Sequence, residues 1–226
     1  MDAKARGTKN FILLSPDRAR MALYALENKY HDQKYYLNFS NPLELLVAAI
    51  LSAQTKDTVV NALTPPLFKR YPNANSYADA KESDLLRYIN KVSFAGNKAK
   101  HIIDTCKILI ERHNGNVPKT MDELLKLPGV GRKTANTILI NAYNIIEGIP
   151  VDTWVIKLSY RIGLSGSKRP DDIEKDLMKL VEKPNWKNIA YILKAHGHDT
   201  CHSTSPLCST CTIKDICPKN GVVNSK

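Results

Sequence analysis

The chain has 226 residues, 43% of them apolar and 24% charged, and its 33 Lys and Arg against 22 Asp and Glu leave a formal net charge of +11. That length exceeds one modal domain and falls short of two full-sized ones, so one compact unit or two interlocked small domains is expected. The composition excludes disordered, fibrous and membrane-embedded classes, and the basic excess favours polyanionic partners, nucleic acid above all.

No apolar run approaches the roughly 18 residues of a spanning helix. The basic stretch Met1–Asn10 is followed only by Phe11–Leu14, too brief for the apolar region of a secretory signal. An intracellular protein is expected, cytoplasmic and nucleoid-associated if its source is prokaryotic. In chain order, Ser40-Asn41-Pro42 introduces an apolar helix over Pro42–Leu51 through a capping residue and a proline. Helical spacing then marks Asp84–Asn90 and Lys98–Arg112, the latter with Ile102, Ile103, Cys106, Ile108, Leu109 and Ile110. Met121–Lys126 is a short helix leading through Leu127-Pro128-Gly129-Val130-Gly131 into a helix over Thr134–Tyr143, and Val155–Ile162, Ile173–Val181 and Trp186–Lys194 complete the series. With no convincing strand pair, the fold class is all-α. Linkers fall at His31–Tyr36, Ile146–Ile149 and Gly163–Pro170.

Four of the five cysteines occupy Cys201-x6-Cys208-x2-Cys211-x5-Cys217. Four converging thiolates want a soft metal centre, and an intracellular setting argues against disulfides, which leaves zinc or an iron–sulfur cluster. Zinc sites usually show two tight pairs, whereas here one C-x2-C is flanked by wider spacings and Pro218 follows the last cysteine. Cys106, on an apolar helix face, reads as an inert buried thiol.

In Leu127–Asn136, Gly129 and Gly131 are expected to adopt positive φ and bring the backbone close to a ligand, while the amides at the start of the next helix suit a phosphate oxygen. Such a hairpin supports sequence-independent DNA binding, with Gly129, Val130, Gly131 and Arg132 as its contact residues. Lys133 follows directly. It is either a phosphate-binding lysine or an amine nucleophile, and the positive end of the helix dipole together with desolvation favours the proton loss that a nucleophile needs. Asp152, in Val151-Asp152-Thr153, is either a plain helix cap or a functional carboxylate.

Together these pieces resemble the endonuclease III family of helix-hairpin-helix DNA glycosylases over roughly residues 36 to 218. LLVAAILSAQTKD (Leu45–Asp57), VSFAGNKA (Val92–Ala99), LPGVGRKTAN (Leu127–Asn136), VDT (Val151–Thr153), HGHDTC (His196–Cys201) and the cysteine spacing all arrive in the family's order. The resemblance implies two lobes, a six-helix barrel over residues 35–145 and a discontinuous lobe of 1–34 and 146–226 holding a [4Fe–4S] cluster on Cys201, Cys208, Cys211 and Cys217. It implies a monomer acting on double-stranded DNA with a damaged base or abasic site, with no membrane partner. Lys133 matches the Schiff-base lysine and Asp152 the catalytic aspartate of a glycosylase and lyase that removes oxidised pyrimidines such as thymine glycol. Gln54 matches the glutamine that fills the gap left by the extruded base, and Phe94 falls where the family places an apolar wedge.

Three departures accompany the resemblance. Trp154 replaces a histidine after VDT, with Ile156 and Lys157 where a basic pair with arginine is usual. The segment between Cys201 and Cys208 lacks the family's lysines and arginines, and VSFAGNKA lacks its tyrosine. Alternative readings are a thymine or uracil mismatch glycosylase, whose corresponding position lacks a lysine, and the adenine-removing relative, whose further C-terminal domain 226 residues cannot hold. A non-enzymatic hairpin module, which leaves Lys133 and Asp152 without a task, and an electron-transfer protein, against which the basic charge and the complete hairpin speak, are two more.

Overall fold

The computed structural model describes residues 11–226. The basic stretch Met1–Asn10 lies outside the described residues. Among these there are helices and loops and no strand, so the all-α expectation holds. The chain divides into two compact units, one running Tyr35–Pro150 and the other combining the residues up to Lys34 with Val151–Lys226.

The Tyr35–Pro150 unit contains α2 (Pro42–Ser52), α3 (Asp57–Arg70), α4 (Ala74–Ala78), α5 (Glu82–Ile89), α6 (Ala95–His113), α7 (Met121–Leu124) and α8 (Arg132–Tyr143). Leu45 through Leu51 on α2 are all buried, because α3, α6 and α8 pack around it. A helix apolar on every side belongs in a core, and here it forms the centre of one. Its start is set by Asn41, whose side chain accepts from the Glu44 amide at 3.0 Å, and by Pro42 at the first helical position. Around it, Leu67, Tyr77, Leu85, Ile89, Ile102, Leu109, Leu124 and Ile138 complete the buried cluster.

The other unit contains α1 (Pro16–Lys29), α9 (Thr153–Ile162), α10 (Pro170–Leu180), a 3-10 turn over Lys183–Asn185, α11 (Trp186–Asp199) and the cysteine-bearing segment. Leu23 and Leu26 of α1, Leu158 of α9 and Ile189 and Leu193 of α11 are among its buried residues. Buried Asn220 knits its distant parts together: the side chain accepts from the Ile12 amide at 3.0 Å and donates to the Ile12 carbonyl at 2.8 Å and the Tyr160 carbonyl at 3.0 Å.

Helices α1, α3 and α4 are not marked by apolar spacing in the sequence. The cause is plainest in α3, which carries Pro65 and Pro66 inside it. Both prolines are exposed, so the carbonyls that lose a helical partner can turn to water.

Candidate active site and cysteine centre

The hairpin loop joins α7 to α8. Gly129 has φ of +77°, and a Cβ there would come within 3.0 Å of His101 Nδ1, so both backbone conformation and space demand glycine. Gly131 differs from the sequence expectation. It is the N-cap of α8 with φ of −100° in extended backbone, and an added Cβ would meet nothing within 4 Å. One left-handed residue is enough to reverse the chain; the second glycine serves the start of the helix. No side chain among the described residues caps α8, and Thr105 of α6 steadies the loop by donating to the Pro128 carbonyl at 3.0 Å.

Lys133 is the second residue of α8, half-buried, with Nζ donating to the Tyr36 hydroxyl at 3.3 Å. Sequence reasoning missed Tyr36, which sits in a segment read only as a linker.

Gln54 and Phe94 lie in two turns of the same unit and share an unusual backbone. Both are exposed and both adopt left-handed φ, 54° and 56°. Phe94 leaves 63% of its surface open. Ser93 ties the turns together: its hydroxyl donates to the Gln54 carbonyl at 2.8 Å and its amide donates to Thr55 Oγ1 at 3.1 Å. Bulky residues in left-handed backbone are uncommon, and such strain gathers at functional sites.

Asp152 belongs to the other unit and is the N-cap of α9. Its Oδ1 accepts from the Trp154 and Val155 amides, each at 2.9 Å. The cap therefore engages one carboxylate oxygen and leaves Oδ2 outside it.

In that same unit Cys201, Cys208, Cys211 and Cys217 border one recess of about 360 Å³, part of it open to solvent, together with Arg161 and His196. None of the four is in a disulfide. Burial raises the Cys201 and Cys211 thiols above their ordinary value and pushes Cys217 up to about 11. Among the described residues no group of three or more His, Cys, Asp or Glu is gathered for a single metal ion. Two further residues shape the recess. Buried Arg161 donates to the Cys201, His202 and Ser203 carbonyls at 3.2, 2.7 and 2.6 Å, and its NH1 lies 3.5 Å from Cys201 Sγ. Buried His196 sits with Nδ1 3.2 Å from the Tyr30 hydroxyl and Nε2 3.7 Å from Cys211 Sγ, and burial lowers its pKa to about 4, which keeps it neutral.

Comparison with known proteins settles the ancestry. Residues 47–183 match the HhH-GPD superfamily of base excision DNA repair proteins. Endonuclease III of Synechocystis sp. is 43% identical over 89% of this chain and 92% of its own length, and that of Escherichia coli K12 is 40% identical over 80% and 85%. A solved endonuclease III trapped as a covalent intermediate with DNA superposes with a TM-score of 0.89 at 35% identity, over 92% of this chain and 98% of that one. The chain belongs to the endonuclease III family. A thermostable thymine-DNA glycosylase, at a TM-score of 0.79 and 18% identity, shares the fold.

Against that family background the Trp154 departure acquires a structural context. The Trp154 ring lies against Gly197 so closely that any side chain there would collide with it. It also packs on His198 at 4.7 Å between centroids, and the Lys157 ammonium lies 5.0 Å over it. Lys157 in turn donates to the Ser203 hydroxyl at 2.6 Å.

Proposed function

We propose that this member of the endonuclease III family removes oxidised pyrimidines, thymine glycol among them, from double-stranded DNA and nicks the strand through an imine formed on Lys133. Base excision by a bifunctional glycosylase and lyase is the activity that its family membership carries. The observation supporting the residue assignment is the position of Lys133, one residue into the helix that follows the hairpin, with its amine beside the Tyr36 hydroxyl. A relative that could be trapped covalently on DNA is what an amine nucleophile produces.

In this reading the amides from Gly129 to Arg132 hold backbone phosphate, which fixes register without reading sequence. The damaged nucleotide leaves the stack, a step costing a few kcal/mol, and Gln54 and Phe94 fill the space. Lys133 attacks the sugar C1′ as the base departs with the glycosidic electron pair and takes up a proton. Asp152 helps prepare the amine and offsets positive charge developing on the sugar through the carboxylate oxygen that its cap leaves over. Breaking of the C1′–O4′ bond, with a proton delivered to O4′, turns the adduct into an imine, and loss of its C2′ proton then expels the 3′ phosphate. The Tyr35–Pro150 unit presents the hairpin and wedge, and the other unit, with Val151–Lys226, is the cluster lobe of a monomer that works inside the cell; the boundary falls five residues later than the sequence expectation of 145.

The donor set fits a [4Fe–4S] cluster: four thiols and no carboxylate border one recess, and burial there disfavours free thiolates unless a cationic centre offsets them. Cys201, Cys208, Cys211 and Cys217 would hold it, and its contribution is structural, fastening the segment that carries them. Purified protein should be brown with iron in excess of zinc; stoichiometric zinc without iron would overturn this part.

Borohydride should trap the wild-type protein on DNA containing an abasic site. Lys133→Gln should lose both adduct and nick while retaining much of the DNA affinity. An adduct formed by Lys133→Gln at the wild-type rate would assign the chemistry to another amine.

A further inference from the structure

Lys98 is 5% exposed, yet no carboxylate is among its hydrogen-bond partners. It stands in the first turns of α6, and its ammonium donates to the Leu51 carbonyl at 2.8 Å, the Ala53 carbonyl at 2.6 Å and Thr55 Oγ1 at 3.1 Å. Burying an uncompensated charge is costly, so its persistence calls for a task. All three acceptors lie at the end of α2 and in the turn that carries Gln54. Helix α2 has no basic residue in its own last turn; Lys98 brings positive charge to that end from a different helix.

The same ammonium also reaches the second turn. Thr55 Oγ1 accepts from Lys98 and from the Ser93 amide, and lies 3.4 Å from the Ala53 carbonyl to which it donates. Every hydrogen-bonding capacity of that hydroxyl is thereby used. Ser93 precedes Phe94, and its own hydroxyl returns to the Gln54 carbonyl. One buried cation thus stands behind two exposed left-handed residues, Gln54 and Phe94, through a closed set of hydrogen bonds.

We propose that Lys98 is a positioning residue for the DNA-opening step: its ammonium fastens the Gln54 turn directly and the Phe94 turn through the Thr55 hydroxyl, so that both side chains stand ready before DNA arrives. The inference rests on the reading of Gln54 and Phe94 as gap fillers. Holding strained turns in advance removes an ordering step from the encounter with DNA. Burial lowers the Lys98 pKa to about 8, so near neutral pH the ammonium is present but held at a cost.

The test compares substrates that do and do not require an opened duplex. Lys98→Met should slow single-turnover release of thymine glycol from a duplex by about 10- to 100-fold. It should also abolish the fluorescence rise of 2-aminopurine placed opposite a tetrahydrofuran abasic-site analogue. Borohydride trapping on a single-stranded abasic oligonucleotide, where there is no partner base to part from, should stay within about twofold of wild type. Thr55→Val, which cuts the relay while leaving Lys98 its two carbonyls, should show the same split in weaker form and serves if Lys98→Met does not fold. Equal losses on single-stranded and duplex substrates, or no loss on either, overturns the proposal. Phe94→Ala and Gln54→Ala separate the two levels of inference. If they keep the fluorescence rise, the gap-filling reading falls and takes the Lys98 proposal with it. If they lose it while Lys98→Met does not, only the Lys98 proposal falls.

Discussion

At the scale of single residues, the two hairpin glycines are not equivalent. Gly129→Ala would force a Cβ into left-handed backbone and toward His101, and should destabilise the protein by about 1 to 2 kcal/mol and weaken DNA binding. Gly131→Ala meets open space and extended backbone, so thermal unfolding should barely register it. Equal effects in the two variants would show that the loop is held by something other than the Gly129 conformation. Lys98 makes a pH prediction whose sign follows from its lowered pKa, 10.5 to about 8. Between those values the unfolded chain keeps a proton that the folded chain has released, so this residue's contribution to stability rises with pH across that window. Unfolding free energies of wild type and Lys98→Met, compared at pH 7.5 and pH 10.5, should shift toward the wild type by up to about 3 kcal/mol. A constant difference would mean that burial does not perturb Lys98.

At the scale of elements, Asn220 is the joint of the cysteine-bearing unit. Asn220→Ala leaves the Ile12 amide, the Ile12 carbonyl and the Tyr160 carbonyl without that partner, and should cost about 1 to 2 kcal/mol, because these groups are part-buried and the Tyr160 carbonyl keeps the Gly163 amide. Faster iron loss on mild heating, at an unchanged far-ultraviolet helix signal, is the expected reading. Legibility at this scale followed sequence distance. The cysteines stand within one short segment, and α2 announces itself through its asparagine cap, proline and unbroken apolar run. Tyr36 was invisible because 97 residues separate it from Lys133. Lys98 likewise reaches partners more than 40 residues away, and nothing local distinguishes it from a surface lysine. Helix α3 was hidden by two prolines whose tolerance depends on exposure, a property that the one-dimensional pattern does not carry. Glycine at position 131 suggests positive φ from its residue type, whereas its conformation is set by the helix that it begins.

At the scale of the whole molecule, the charge of +11 predicts DNA binding dominated by phosphate contacts. Affinity for an undamaged duplex should fall by at least about 100-fold between 50 and 200 mM salt, measured by fluorescence anisotropy; a flat salt response would remove the electrostatic account of docking. Of the two units, one is continuous in sequence and the other is not, and Asn220 meets Ile12 across a separation of 208 residues. During synthesis at about 5 to 20 residues per second, Ile12 must wait roughly 10 to 40 s before its partner exists. The Tyr35–Pro150 unit has no such delay and can collapse while the ribosome is still at work. The apolar face of α1, with Leu23 and Leu26, has no α11 to cover it for that interval, which makes it a natural grip for a chaperone. A cluster held by Cys201, Cys208, Cys211 and Cys217 would therefore be assembled only after the whole Tyr35–Pro150 unit has been made.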